Sequence, residues 1–166
     1  MDGYGVGGLA VDQVISDFVF TLEENFPINI GKRVMCFRRQ VDHIFRPEGF
    51  FIVVSRRFCL YGPVVNTGPM VYSDDDLGFV RKEPGTPNTY RELCPWRLPF
   101  QLHPDLEAIT MKNGNTMTGL PIQFVPELNQ FGNRLFYEFH TIRLDDILYN
   151  NLRSRILEAN NSYQPV

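Results

Sequence analysis

Residues Lys32 to Asp76, KRVMCFRRQVDHIFRPEGFFIVVSRRFCLYGPVVNTGPMVYSDDD, hold most of the strand-forming sequence of the chain. β-Branched and aromatic residues are dense here, and Gly, Pro and Asn interrupt them at short intervals. Short runs of this kind, separated by turn residues, predict several short strands. We therefore expect this stretch to form a small β-barrel or a strongly bent antiparallel sheet.

A helix is predicted on each side of the strand-rich region. Before it, apolar residues recur at helical spacing from Leu9 to Asn25, and Pro27 ends this predicted helix. After it, Asp145 is a capping residue, and the helix that follows to Ala159 shares one apolar face. That face consists of Leu144, Ile147, Leu148, Leu152 and Ile156. With seven or eight short strands between the helices and no strand-helix alternation, we predict an α+β fold.

The length of 166 residues fits one domain with a single core. Residues 1–8 are rich in glycine and are expected to be a flexible leader. The α+β domain is expected to span residues 9–159, and residues 160–166 to form a loose tail.

Composition indicates a globular protein of the cell interior. The hydrophobic content of 43% and the charged content of 21% are ordinary for such a protein. No run approaches the ~20 apolar residues of a membrane span, and the start lacks the basic region of a signal peptide. The odd number of cysteines, Cys36, Cys59 and Cys94, does not imply a disulfide framework. We expect a cytoplasmic or nuclear protein that makes no membrane contact.

The net charge of -3 conceals a basic stretch, because seven basic residues and only two acidic ones lie between Lys32 and Arg57. Most basic residues of the chain are arginines, which favour planar, bidentate contacts over diffuse charge. This stretch predicts an interface with a protein partner. Its candidate contact residues are Arg38, Arg39, Arg56 and Arg57.

The Pro-rich segment from Glu83 to Pro104 is predicted to be a surface connection, because proline is excluded from central strands. It carries Trp96 and Phe100, and Trp and Arg dominate the binding energy of many interfaces. We therefore expect these two rings and the arginines to form adjacent parts of one partner-binding surface.

No constellation of residues predicts catalysis or a cofactor. His43, His103 and His140 and the cysteines lack the spacing of a zinc site. The glycines at the start of the chain do not follow a strand, so a phosphate-binding loop is not predicted. We expect no catalytic residue, no metal and no cofactor.

Four segments together resemble an extended Tudor domain: IGKRVMCF (Ile30 to Phe37), the aromatic pair Phe50–Phe51, VYSDDDLG (Val71 to Gly78) and LCPWRLPFQL (Leu93 to Leu102). The resemblance implies a helix followed by a five-stranded barrel. It also implies an aromatic cage for methylated arginine or lysine. The cage would fall on Phe37, Phe50 or Phe51, and Tyr72, with Asp74 or Asp76 as the acidic partner.

The residues also permit a purely structural interpretation. In it, Phe50 and Phe51 straddle the sheet, Tyr72 packs at its end, and the run Asp74–Asp76 caps a turn.

The sequence therefore predicts a non-enzymatic adaptor domain that binds a protein partner, such as a methylated or an acidic peptide, within an intracellular assembly. One alternative is an RNA- or nucleic-acid-associated accessory protein that uses the arginine-rich residues 32–57. Another is a small hydrolase whose site is not visible in sequence. The stripe Leu148, Leu152 and Ile156 is expected either to dock on the sheet or to form a homo-oligomer.

Overall fold

The computed structural model describes residues 13–40, 42–54, 57–79, 94–107, 117–130 and 142–161. The strands in this part of the chain are β1 Gln13–Ile15, β2 Phe18–Thr21, β3 Val34–Phe37, β4 Asp42–Ile44, β5 Phe50–Val54, β6 Cys59–Asn66, β7 Val71–Tyr72, β8 Trp96–Leu102 and β9 Leu120–Pro121. Helix α1 spans Phe26–Lys32 and helix α2 spans Asp146–Asn161. Short helical turns cover Ile122–Phe124, 104–107 and 126–130.

Seven of these strands form one mixed sheet. Its central order is β2-β5-β6-β8-β3, with β7 also paired to β8 and β9 also paired to β6. The β2 and β5 strands are parallel, as are β1 and β4 in a separate two-stranded sheet, and the remaining pairs are antiparallel. Because β2 and β3 lie at opposite ends of the order, the sheet is open. The α+β class is thus confirmed. The described strands do not close into the predicted barrel, and they form a mixed sheet where an antiparallel one was the alternative prediction.

Strand β5 lies between two core clusters. It is buried along its whole length, as the apolar sequence FFIVV predicts. Phe50, Ile52 and Val54 face the first cluster, which also contains residues of α1, β3 and β8. Phe51 and Val53 face the second cluster, which contains the buried side of α2. The two helices therefore cover opposite faces of this part of the sheet.

The predicted first helix is wrong for the described residues 13–21, which form β1 and β2. Strand β2 pairs with β5 in parallel register, with Phe18 opposite Phe51. Phe18 and Phe20 pack on the second core cluster and Val19 packs on the first. Phe18, Val19 and Phe20 are apolar on both faces of β2, so helical spacing and strand alternation both fit this part of the sequence. Pairing with β5 decides in favour of the strand.

Helix α1 begins where the sequence was predicted to end a helix. Pro27 occupies its first turn, where the missing N–H of proline costs no intrahelical hydrogen bond. The helix ends at Arg33, which adopts a left-handed conformation with φ of 57°. This turn leads the chain directly into β3.

The Pro-rich segment is not a surface connection over residues 96–102, because these residues form β8. The strand pairs with β3 on one side and with β6 and β7 on the other. Phe100 is a core residue that contacts Phe50 edge-on, with ring centroids 6.4 Å apart. Its ring is therefore not available to a partner, contrary to the prediction for this residue.

Pro99 is accommodated in β8 at the point where the neighbouring chain leaves the sheet. The Pro99 carbonyl accepts hydrogen bonds from Thr67 N at 3.2 Å and Asn66 Nδ2 at 3.3 Å, in the link between β6 and β7. On the opposite side of β8, Phe100 N donates to Arg33 O at 3.0 Å. In an antiparallel strand, the N–H and C=O of one residue point to the same side. The N–H that proline lacks would therefore point toward the link between β6 and β7, where the pairing of β8 is interrupted.

The C-terminal helix is confirmed. Asp145 Oδ1 accepts a hydrogen bond from Leu148 N at 2.8 Å, as expected of a capping residue. The stripe Leu148, Leu152 and Ile156 is buried in the second core cluster, so it docks on the sheet. Ile147 does not share this face, since it is 75% exposed. The helix continues to Asn161, beyond the domain boundary predicted at residue 159.

An ionic network around the buried Asp17 carboxylate stabilises the start of α2. Asp17 is 2% exposed and accepts hydrogen bonds from Arg46 Nε at 3.0 Å and from Leu144 N at 2.6 Å. The Arg46 guanidinium also donates to Leu144 O and to the Asp146 carboxylate, and it lies 4.6 Å above the Tyr149 ring. Arg46 belongs to the basic stretch of the sequence, but its charge is used inside the protein.

Candidate partner-binding surface

Three aromatic residues form one row across β7, β8 and β3. Tyr72 lies opposite Trp96, and Trp96 lies opposite Phe37. Directly opposed residues of antiparallel strands project from the same face of a sheet. The register alone therefore brings together rings that are far apart in sequence.

The row is buried at one end and accessible at the other. Phe37 belongs to the first core cluster, Trp96 is half-buried against that cluster, and Tyr72 is 48% exposed. The Tyr72 and Trp96 rings are arranged edge to face, with centroids 5.3 Å apart and planes at 76°. Such pairs contribute about 0.5 to 1.5 kcal/mol beyond their buried area. Core packing of Trp96 thus holds the exposed Tyr72 ring in one arrangement against it.

An acidic segment follows Tyr72 directly. Tyr72 Oη donates a hydrogen bond to Asp74 Oδ1 at 2.9 Å. Asp74, Asp75 and Asp76 are all exposed. Asp76 Oδ1 accepts from Gly78 N at 2.8 Å, and Ser73 Oγ accepts from Asp75 N at 3.1 Å, so local turns shape this segment. A carboxylate therefore lies beside the aromatic pair.

Arg97 fixes the backbone of the acidic segment from the interior. Its side chain is buried, its Nε donates to Cys94 O at 2.8 Å, and its Nη2 donates to Asp75 O at 3.1 Å. The guanidinium also lies 5.4 Å from the centre of the Phe79 ring. Sequence analysis did not single out Arg97. The only sequence signal was an arginine next to tryptophan in an apolar segment, and its meaning depends on pairing with β3 and β7.

Arg38 and Arg39 lie at the same end of the sheet as the acidic segment. Both are exposed, and they directly follow Phe37 at the end of β3. Strands β3 and β7 are both antiparallel to β8, so they run in the same direction on its two sides. Neighbouring strands are about 4.8 Å apart, which places β3 and β7 about 10 Å apart. We refer to Arg38, Arg39, Tyr72, Trp96 and Asp74–Asp76 as the Tyr72–Trp96 surface.

Arg57 does not belong to this surface. Its Nε donates to Glu23 Oε1 at 3.2 Å, its Nη1 donates to Tyr61 Oη at 3.1 Å, and its guanidinium lies 5.5 Å from the Phe26 ring centre. The hydrogen bond with Tyr61, followed by that with Glu23, raises the pKa of the Arg57 guanidinium despite its partial burial. Arg57 is therefore held by contacts within the protein.

The strand register also separates Arg57 from Trp96. Val64 of β6 pairs with Leu102 of β8. From this pair β6 runs back toward Arg57, whereas β8 runs the opposite way toward Trp96. Arg57 and Trp96 consequently lie at opposite ends of the ladder and are not adjacent. Arg56 lies outside the described residues.

The rings predicted for an aromatic cage are divided between core and surface. Phe50 and Phe51 are fully buried in different core clusters, and Phe51 packs 5.1 Å from the Tyr149 ring centre. Phe37 is also buried, so Tyr72 is the only exposed ring of the predicted cage, and both predicted acidic partners, Asp74 and Asp76, are exposed after it. Phe50 and Phe51 therefore straddle the sheet as the structural interpretation predicts, with both rings buried, each in a core cluster of its own. Trp96, predicted as a partner-contacting residue, is the ring that lies beside Tyr72.

No metal centre or membrane span is found in the part of the chain that the structure describes. Within these segments no three His, Cys, Asp or Glu side chains are grouped so that they could hold a metal ion. No helix in the same segments has the length and apolar character required to cross a bilayer.

Comparisons with protein-family models, with curated proteins and with solved structures find no match for this chain.

Proposed function

We propose that this chain is a non-enzymatic interaction module that binds a protein partner through the Tyr72–Trp96 surface. The observation that carries the proposal is the edge-to-face contact of the exposed Tyr72 ring with the half-buried Trp96 ring, with the Asp74 carboxylate bonded to Tyr72. Rings already held in one arrangement lose little conformational entropy when a partner binds. Tyr, Trp and Arg are also the residues that most often dominate interface energies.

The chemistry of this surface favours a cationic side chain of the partner. An aromatic face attracts an ammonium or guanidinium group by about 0.5 to 2 kcal/mol, and a neighbouring carboxylate adds charge complementarity. Asp74 lies 2.9 Å from the Tyr72 hydroxyl, so both kinds of attraction act at one place. Methylation keeps the charge of arginine while blocking bidentate hydrogen bonds. The proposed ligand is therefore an arginine or lysine side chain, including its methylated forms.

Nucleic-acid binding receives less support from the same region. Arg46 and Arg57 are used in ion pairs within the protein, which leaves fewer arginines to contact phosphates. The exposed carboxylates Asp74–Asp76 lie beside the aromatic pair and would repel a phosphate backbone. A nucleic-acid complex would weaken steeply with added salt, whereas stacking of a single cation would weaken much less.

The fluorescence of Trp96 provides a direct test, because it is the only tryptophan in the sequence. The protein is titrated with N-acetyl amides of arginine, dimethylarginine, lysine and trimethyllysine, and with the glutamate derivative as a charge control. We expect the cationic ligands to change the emission of Trp96 saturably and the anionic one to leave it unchanged. Absence of a saturable change with every cation would refute the proposal.

Variants of the chain complete the test. Tyr72→Ala and Asp74→Asn should each reduce the affinity for the cationic ligand, because they remove the ring and the charge beside Trp96. Phe124→Ala is the matched control, since Phe124 is 64% exposed but lies outside this surface. Equal affinities for the Tyr72 and Phe124 variants would place the cation elsewhere.

A further inference from the structure

The Tyr72–Trp96 surface has two flanks of opposite charge. The exposed acidic residues Asp74–Asp76 follow β7, and the exposed basic residues Arg38 and Arg39 follow β3. Both segments leave the sheet at the same end, on either side of the start of β8. The charges therefore border the aromatic pair from two sides and do not form a uniformly acidic or basic patch.

Backbone pairing sets the separation of the strands that lead into these flanks. Ser73 N donates to Pro95 O at 2.8 Å, which extends the pairing of β7 with β8 to the start of the acidic segment. Arg97 fixes that segment further through Asp75 O, and Phe37 of β3 pairs directly with Trp96. The strands that carry the two flanks are about 10 Å apart, twice the usual spacing in a sheet. A ligand that engages both flanks must carry two charges at a matching distance.

We infer that the surface recognises an extended peptide that carries one basic and one acidic side chain two to four residues apart. This inference rests on the proposed function and specifies the partner further. The basic side chain contacts Tyr72, Trp96 and Asp74, and the acidic side chain pairs with Arg38 and Arg39. Consecutive residues of an extended peptide are about 3.3 Å apart, so two to four residues span about 7 to 13 Å and bracket the separation of the flanks.

The chemistry of arginine supports the second contact. A guanidinium group forms two parallel hydrogen bonds with a carboxylate, which gives direction as well as charge to the pairing. A peptide with only basic residues would satisfy the acidic flank but would place like charges against Arg38 and Arg39. The surface should therefore discriminate between peptides by the arrangement of their charges.

The test uses ten-residue Gly-Ser peptides with Arg and Glu separated by two, three or four positions. Matched peptides carry Gln in place of Glu, or Gln in place of Arg, and Trp96 fluorescence reports binding. We expect the best Arg/Glu peptide to bind at least about tenfold more tightly than its Arg/Gln counterpart. One additional charged hydrogen bond, here from the arginines to the peptide Glu, is sufficient for such a ratio of affinities. Peptides with Glu alone should bind more weakly than both.

The double variant Arg38→Gln with Arg39→Gln separates the two contacts. It should lower the affinity for the Arg/Glu peptide to that for the Arg/Gln peptide, while the affinity for the latter is unchanged or increased. Lys32→Gln is the control for a general loss of positive charge, because Lys32 is exposed on α1. Thermal melting of each variant verifies that it is folded.

The possible failures are distinguishable. If the Arg/Gln peptide binds as tightly as every Arg/Glu peptide, or the double variant retains the preference, the inference is wrong and the proposed cation site stands. If no cationic peptide alters Trp96 emission, the proposed function itself is wrong.

Discussion

The buried Asp17 carboxylate forms an ion pair with the partly buried Arg46, with Oδ1 3.0 Å from guanidinium Nε. Asp17 precedes β2, and Arg46 lies in the link between β4 and β5. Through Leu144 and Asp146 the same two residues hold the segment that enters α2. One buried pair thus joins three parts of the chain that are distant in sequence.

Arg46→Met should destabilise the fold strongly. The substitution leaves the buried Asp17 carboxylate without its counter-charge, and breaking a buried pair in this way costs about 3 to 5 kcal/mol. Urea unfolding measures the loss. Arg155→Met, at an exposed position of α2, should change the free energy of unfolding by less than about 0.5 kcal/mol. A similar small effect at Arg46 would contradict the role assigned to the pair.

The Arg46–Asp146 contact predicts a pH dependence of stability. The hydrogen bond from Arg46 and then its charge hold the pKa of the Asp146 carboxyl below its ordinary value. Because the folded-state pKa is the lower one, ionised Asp146 stabilises the fold above its unfolded-state pKa. This contribution is lost as the pH falls through the folded-state pKa.

Asp146→Asn should therefore be less stable than the wild type at neutral pH, and the difference should disappear in acid. Urea midpoints measured from neutral pH down through the carboxylate range give this comparison. Glu158→Gln on the exposed side of α2 is the control. A difference that persists undiminished in acid would show that the ionic contact is not its origin.

Gly49→Ala should destabilise the protein by more than about 1 kcal/mol. Gly49 has φ of +109°, and an added Cβ would overlap the backbone carbonyl of Val64. The Gly49 carbonyl also accepts the hydrogen bond of the buried Tyr149 hydroxyl, so a shift of this backbone would disturb α2. Gly31→Ala is the matched control, because it lies in α1 with no atom near the added Cβ. The Gly31→Ala variant should be as stable as the wild type or more stable by up to about 1 kcal/mol. Equal melting temperatures for the Gly49 and Gly31 variants would contradict this account.

Asn160→Ala should cost about 2 to 3 kcal/mol of stability. Asn160 is fully buried near the end of α2. Its side-chain Oδ1 accepts a hydrogen bond from Thr118 N at 2.6 Å. Its Nδ2 donates to Thr118 O at 3.2 Å and to Ile156 O at 2.8 Å. Removing the amide leaves buried backbone groups unsatisfied. Asn151→Ala, at an exposed position of the same helix, should have little effect in the same thermal melt. Equal melting temperatures would mean that Asn160 does not fasten residues 117–118 to the helix.

Local sequence determined those strands and helices whose sequence signals lie within a few residues of one another. The run Phe50–Val54 and the capped helix after Asp145 were predicted because propensity, periodicity and capping agree there. Residues 18–20 were misassigned because a strand that is covered on both faces is apolar on both, and such a run also fits helical spacing. Pro99 contributed to the wrong prediction of a surface connection, because the sequence does not show at which edge a strand lacks a hydrogen-bonding neighbour.

The candidate site depended on pairings that residue type alone does not specify. Tyr72, Asp74 and Trp96 were predicted from the sequence to take part in recognition. Tyr72 and Asp74 were grouped with Phe50 and Phe51, and Trp96 with Phe100, and the fold buries these three phenylalanines. Only the pairing of β7 with β8 brings Tyr72 to Trp96. The sequence determined which side chains are chemically able to bind a cation. The tertiary structure decided which of them remain exposed and adjacent, because long-range strand register is fixed by burial on both faces of the whole sheet.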